Sequence, residues 1–151
     1  METGIKVCEA MTQKPVSISV DTRIDKAAEL MAQEHVGSML VKDAGRIVGI
    51  FTEQDVVRKC VAKGLQPWSV KARDVMETNL ITVSPDEDVF EALSIMADYN
   101  VRHLPVKDKD KGIVGFITGK DILKIQPQLF ELLTDRIHLR EQEEKVRRFS
   151  R

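Results

Sequence analysis

Two apolar stripes at helical spacing organise the chain: Ile24, Ala27, Ala28 and Met31, then Val89, Ala92, Leu93 and Met96, each at i, i+3, i+4 and i+7. Short apolar runs of strand length surround each stripe, at residues 16–20, 38–41 and 47–51 around the first and 80–83, 103–106 and 113–117 around the second. Helix starts are expected at Asp21 and at Ser84-Pro85-Asp86-Glu87, the latter a capping-box pattern with Pro at the first helical position. The paired runs are joined by Lys42-Asp43-Ala44-Gly45-Arg46 and Asp108-Lys109-Asp110-Lys111-Gly112, whose Gly and Asp are turn chemistry. A second helix is predicted after Thr52 and after Thr118, so each half reads β-α-β-β-α.

The halves are copies. Displaced by 65 positions, residues 11–43 lie over residues 76–108, and one extra residue in the next turn moves the offset to 66, giving 15 identities over 45 compared positions. Met11/Met76, Asp21/Asp86 and Met31/Met96 coincide, as do Val41-Lys42-Asp43/Val106-Lys107-Asp108 and Ile47-Val48-Gly49/Ile113-Val114-Gly115. Thr52/Thr118 and Asp55/Asp121 follow in register. About 60 residues bury too little apolar surface to be secure alone, so the copies are expected to pack sheet to sheet as a pseudo-twofold pair. The domain reading is residues 7–63 for repeat 1, 64–71 for a linker whose Gly64 ends the preceding helix, 72–125 for repeat 2 and 126–151 for a helical tail. In the tail Leu129, Leu132, Leu133 and Ile137 line one face, while Glu141-Gln142-Glu143-Glu144-Lys145 carries no apolar stripe and reads as solvated.

Composition narrows the function classes. The 151 residues include 29 Val plus Ile against 11 Leu, which disfavours a purely helical bundle. A net charge of −1 provides no broad positive field for nucleic acid. No apolar stretch approaches a membrane span or a signal-peptide core, and two cysteines are too few for a disulfide framework, so the expected setting is reduced and cytoplasmic. His35, His103 and His138 with Cys8 and Cys60 lack metal-ligand spacing. The chain contains no Gly-x-Ser-x-Gly elbow, P-loop or Gly-rich dinucleotide loop.

Two β-α-β-β-α copies, each with Ile-Val-Gly-x-x-Thr-x-x-Asp, resemble tandem CBS domains, the pair known as a Bateman module. Val101-Arg102-His103-Leu104-Pro105-Val106 is especially similar to that family's strand, and the resemblance covers about residues 7–125. It implies an α+β fold and a non-enzymatic regulatory protein that senses an adenine nucleotide (AMP, ADP or ATP) in clefts between the repeats. S-adenosylmethionine ranks below the nucleotides in this expectation. The resemblance further implies a homodimer and an unidentified protein partner that reads ligand occupancy.

Carried over by residue, Asp55 and Asp121 would accept ribose hydroxyls, Thr52 and Thr118 would contact phosphate, and Ile50 and Phe116 would touch base or sugar. Val16 and Val36-Gly37-Ser38 would face the Thr118/Asp121 motif, and Ile81 with Val101-Arg102-His103 the Thr52/Asp55 motif. The chemistry is sound in itself: a carboxylate can accept both hydroxyls of a vicinal diol, and Arg102 offers a planar fork to phosphate. Thr52-Glu53-Gln54-Asp55 and Thr118-Gly119-Lys120-Asp121 also fit a plain helix cap, and both roles can hold together. The alternative function is a ligand-free adaptor acting through dimerisation and the tail.

Overall fold

The computed structural model describes residues 2–125, 127, 135 and 141–149. It divides into two compact units, one of Lys14–Leu80 and one of Met1–Gln13 with Ile81–Arg151.

The Lys14–Leu80 unit holds β1 (Ser17–Ser19), α2 (Ile24–Glu34), β2 (Ser38–Asp43), β3 (Arg46–Thr52), α3 (Glu53–Asp55) and α4 (Ala72–Val75). The α3 turn runs into a π-helical segment, Val56–Val61, and Pro67–Ser69 forms a 3-10 turn. Strand β1 pairs parallel with β2 through the α2 crossover, and β2 pairs antiparallel with β3. Ile24, Ala27 and Met31 of the predicted α2 stripe enter the core with Met39, Val41, Phe51 and Cys60. The second unit holds α1 (Val7–Ala10), α5 (Val89–Tyr99), the antiparallel pair β4 (His103–Asp108) and β5 (Gly112–Thr118), and α6 (Gly119–Ile125). Its core gathers Val89, Ala92, Leu93 and Met96 with Val7, Leu104, Val106 and Ile117. The chain is thus α+β with two units of β-α-β-β-α plan, the first strand of the second unit being reduced to a bridge at Val83, and residues 141–149 add a C-terminal helix with all its residues exposed. The tail positions Leu129, Leu132, Leu133 and Ile137 lie outside the described residues.

The compact units and the sequence repeats have different limits, because the segment leading each repeat packs on the other repeat's elements. The same hydrogen bonds form twice. Ala72 N donates to Thr22 O at 2.8 Å, as Val7 N does to Glu87 O at 2.8 Å. Ile24 N donates to Val70 O, and Val89 N to Ile5 O, both at 2.9 Å, so a lead segment satisfies the first orphan N–H of each long helix. Glu77 then bridges Ile50, and Thr12 bridges Phe116.

These contacts explain two departures from the expected elements. Helices α2 and α5 begin at Ile24 and Val89, later than Asp21 and residues 84–87. Asp21 instead holds Arg73 and Lys71 of the lead segment, and Ser84–Glu87 closes as a turn whose Pro85 and Glu87 carbonyls accept from Cys8 and Val7. Asp88, not Ser84, caps α5 by accepting from Phe90 N at 2.9 Å. The strand expected at 80–83 reduces to a single bridge of Val83 with Val106. In the first unit Leu40 N donates to Val16 O, extending the β1–β2 ladder. The matching residue in β4 is Pro105, which has no N–H to donate.

Candidate functional site

Each Thr-x-x-Asp motif sits where a central strand turns into a helix. At the end of β3, Thr52 is extended (φ −128°) and its hydroxyl accepts from Asp55 N at 3.3 Å, while Asp55 Oδ2 accepts from Thr52 N at 2.9 Å. At the end of β5, Thr118 and Asp121 repeat this geometry at 3.3 and 2.9 Å. Both motifs are therefore reciprocal helix caps. The cap immobilises each aspartate with one oxygen and leaves the other to be assigned.

That second oxygen distinguishes the copies. Asp55 is buried, 7% exposed. Its Oδ1 lies 3.0 Å from Lys59 Nζ, one turn along the chain, and Lys59 also donates to Val75 O at 2.9 Å. Asp121 is half-exposed, and among the described residues its side chain has only Thr118 as partner. The position matching Lys59 is Ile125, 40% exposed.

Within each unit the strands set the other predicted residues beside the motif of their own copy, whereas the resemblance assigns all but Ile50 and Phe116 to the motif of the other copy. Ser38 is opposite Thr52 and Leu40 opposite Ile50 in the β2–β3 register, and Glu53 N donates to Gly37 O at 3.0 Å. Val16 and Val36 pack on the same core, so Val16, Val36, Gly37, Ser38, Ile50, Thr52 and Asp55 share one unit. In the other unit His103 is opposite Thr118 and Pro105 opposite Phe116, and Gly119 N donates to Arg102 O at 3.0 Å. His103 stacks on Phe116 with ring centroids 5.7 Å apart and 24° between planes. Ile81 and Val101 pack beneath this strand pair. Arg102 is exposed.

Sequence reasoning passed over Lys59 and Glu53. The Asp55–Lys59 pair was available as an acid four residues before a base on one helix. Glu53 becomes visible only in space: its carboxylate oxygen lies 3.4 Å from where a Cβ on Gly37 would stand. Among the described residues no group of three or more His, Cys, Asp and Glu could hold a metal, and no helix is long and apolar enough to cross a membrane.

A family model described as CBS domain matches residues 7–62 and 72–127. The chain belongs to the CBS domain family. CBS domains are regulatory modules, and residues 7–62 and 72–127 form a tandem pair of them, a Bateman module. An uncharacterised protein of Methanopyrus kandleri is 35% identical over 122 residues, covering 80% of this chain and 60% of that protein. A solved conserved protein from Pyrococcus horikoshii superposes with a TM-score of 0.76 at 30% identity, over 83% of this chain and 94% of that one. A solved CBS domain pair in complex with 5′-methylthioadenosine and S-adenosyl-L-methionine is 26% identical, with a TM-score of 0.72 over 80% of this chain and 94% of that one.

The last of these overturns one expectation. S-adenosylmethionine cannot be ranked below AMP, ADP and ATP as the ligand class of this fold, since a similar CBS pair was solved with it. The physical reason is that a carboxylate reading a ribose diol meets the same diol in nucleotides and in S-adenosylmethionine.

Proposed function

We propose that this CBS pair senses an adenosine-containing small molecule through its Thr-x-x-Asp motifs and passes ligand occupancy to a protein partner. Adenine nucleotides (AMP, ADP, ATP), S-adenosylmethionine and 5′-methylthioadenosine stand as candidates on an equal footing. The observation that carries the reading is Asp121, whose carboxylate is fixed by Thr118 N at 2.9 Å yet keeps an oxygen uncommitted among the described residues. An ionised carboxylate only accepts, so it suits the two donors of a ribose diol. Near the motif, His103 stacks on the buried Phe116, and exposed Arg102 offers a guanidinium for phosphate or carboxylate. Regulation requires that the ligand bind two states with different free energies. A homodimer in the cytoplasm is the proposed setting.

The test is calorimetric titration of ligand-stripped protein with each of the five compounds. Saturable binding of any supports sensing; no heat and no thermal shift with all five overturns it. The second reading, a ligand-free adaptor, is favoured by the helix caps, which give each motif a structural role without any ligand. Thermal stability separates the two, because a ligand at a hundredfold excess over Kd stabilises the fold by about 2.7 kcal/mol.

A further inference from the structure

We infer that the two motifs have diverged into one open and one internally occupied copy, so that this chain takes a single adenosine ligand, at Thr118/Asp121 and not at Thr52/Asp55. The inference rests on the sensing function proposed above and specifies which copy performs it.

Three differences converge on the same copy. First, Lys59 occupies the second carboxylate oxygen of Asp55 at 3.0 Å, and its further contact to Val75 O at 2.9 Å holds the ammonium in place. A ribose hydroxyl would have to displace a charge-assisted bond at a carboxylate that is 7% exposed. Ile125 presents no such cation to Asp121. Second, the residue after the threonine is Glu53 in one copy and Gly119 in the other. The Glu53 carboxylate stands beside Gly37, against the approach of any phosphate or carboxylate, whereas Arg102 takes the position of Gly37 in the second copy. Third, half-buried His103 and the buried Phe116 on which it stacks have Ser38 and Ile50 as their counterparts, so only the second copy carries aromatic rings there. Charge, hydrogen-bonding capacity and aromatic content all favour an adenosine compound that carries a phosphate or carboxylate group at Asp121. At Asp55 the lysine takes the place that the ligand would need.

The experiment is calorimetric titration of the full, ligand-stripped chain with AMP, a phosphate source, and S-adenosylmethionine, a carboxylate source. One equivalent per chain is expected for whichever binds. Asp121→Asn is expected to weaken it at least tenfold. Ile125→Lys, an exposed change that transplants the lysine four residues beyond Asp121, is expected to do the same. Lys59→Met combined with Glu53→Gly is expected to add a second equivalent. Two equivalents in the wild type, undiminished binding by Asp121→Asn or Ile125→Lys, or one equivalent in the folded double variant would overturn the inference while leaving the sensing function standing. Should the double variant melt without a cooperative transition, Ile125→Lys decides alone. Absence of binding by wild type to both probes overturns the inference too, and extends to the sensing function if the other candidates also fail.

Discussion

The Met11 thioether closes over the backbone of Gly115: its sulfur lies 2.5 Å from the point where a Cβ on that glycine would stand, with Thr12 O at 2.9 Å. Met76 does the same to Gly49, at 2.7 Å. The repeated Ile-Val-Gly thus has a packing reason, since each lead segment can bridge its strand only where a side chain is missing. Gly115→Ala is expected to destabilise the protein by about 1–3 kcal/mol through overpacking, because the backbone carbonyl of Thr12 cannot yield as a thioether can. A urea denaturation curve with an unshifted midpoint would refute this.

Val7 is fully buried in the core of residues 81–125, far from it in sequence. Val7→Ala is expected to cost on the order of 2 kcal/mol by leaving a cavity. Hydrogen exchange should locate the loss among α5, β4 and β5 before β1–β3. Faster exchange confined to residues 14–63 would contradict the exchanged packing of the lead segments.

Asp88 anchors the chain's start, accepting from Thr3 N at 2.9 Å, Thr3 Oγ1 at 2.8 Å and Gly4 N at 2.9 Å besides capping α5. Desolvation pushes its pKa up, but hydrogen bonds from Phe90 N, the Thr3 hydroxyl and the Gly4 and Thr3 amides outweigh it, leaving the carboxyl below its ordinary value. A depressed folded-state pKa gives stability that is present above the unfolded value, about 3.9, and is lost as pH falls through the folded value. Acidification below pH 4 is therefore expected to deprotect the Thr3 and Gly4 amides. Asp88→Asn should remove that pH dependence; a variant that retained it would show another group in control.

Pro105 interrupts the ladder that Leu40 completes in the first unit. Pro105→Leu is expected to supply the missing donor to Ile81 O and lengthen the bridge at Val83 into a strand pair. The readout is a slowly exchanging amide at position 105, and rapid exchange there would count against this account.

Thr118 caps α6 through its hydroxyl. Thr118→Ala is expected to cost about 0.5–2 kcal/mol of stability, whether or not ligand binds. A thermal melt unchanged by the substitution would show the cap to be energetically idle.

Much of the fold and the motif pair was legible in the chain because it is local. Periodicity in Ile24–Met31 and Val89–Met96 specified the helix faces, turn residues joined the strands, and the 65-residue echo announced two copies of one unit. The Thr-x-x-Asp pattern declared its caps because the partners are three residues apart. Helix starts at Ile24 and Val89 were not legible, since carbonyls of Val70 and Ile5 complete them from distant segments. The same holds for the reason behind Gly49 and Gly115, which is a methionine 27 residues later in one case and 104 residues earlier in the other. What divides the two aspartates combines both kinds of information: the sequence places Lys59 four residues after Asp55, but only the three-dimensional packing brings the Val75 carbonyl and Gly37 to it and to Glu53. Local hydrogen bonding and hydrophobic period are properties of neighbouring residues; the choice of which carboxylate oxygen remains open belongs to the packed chain.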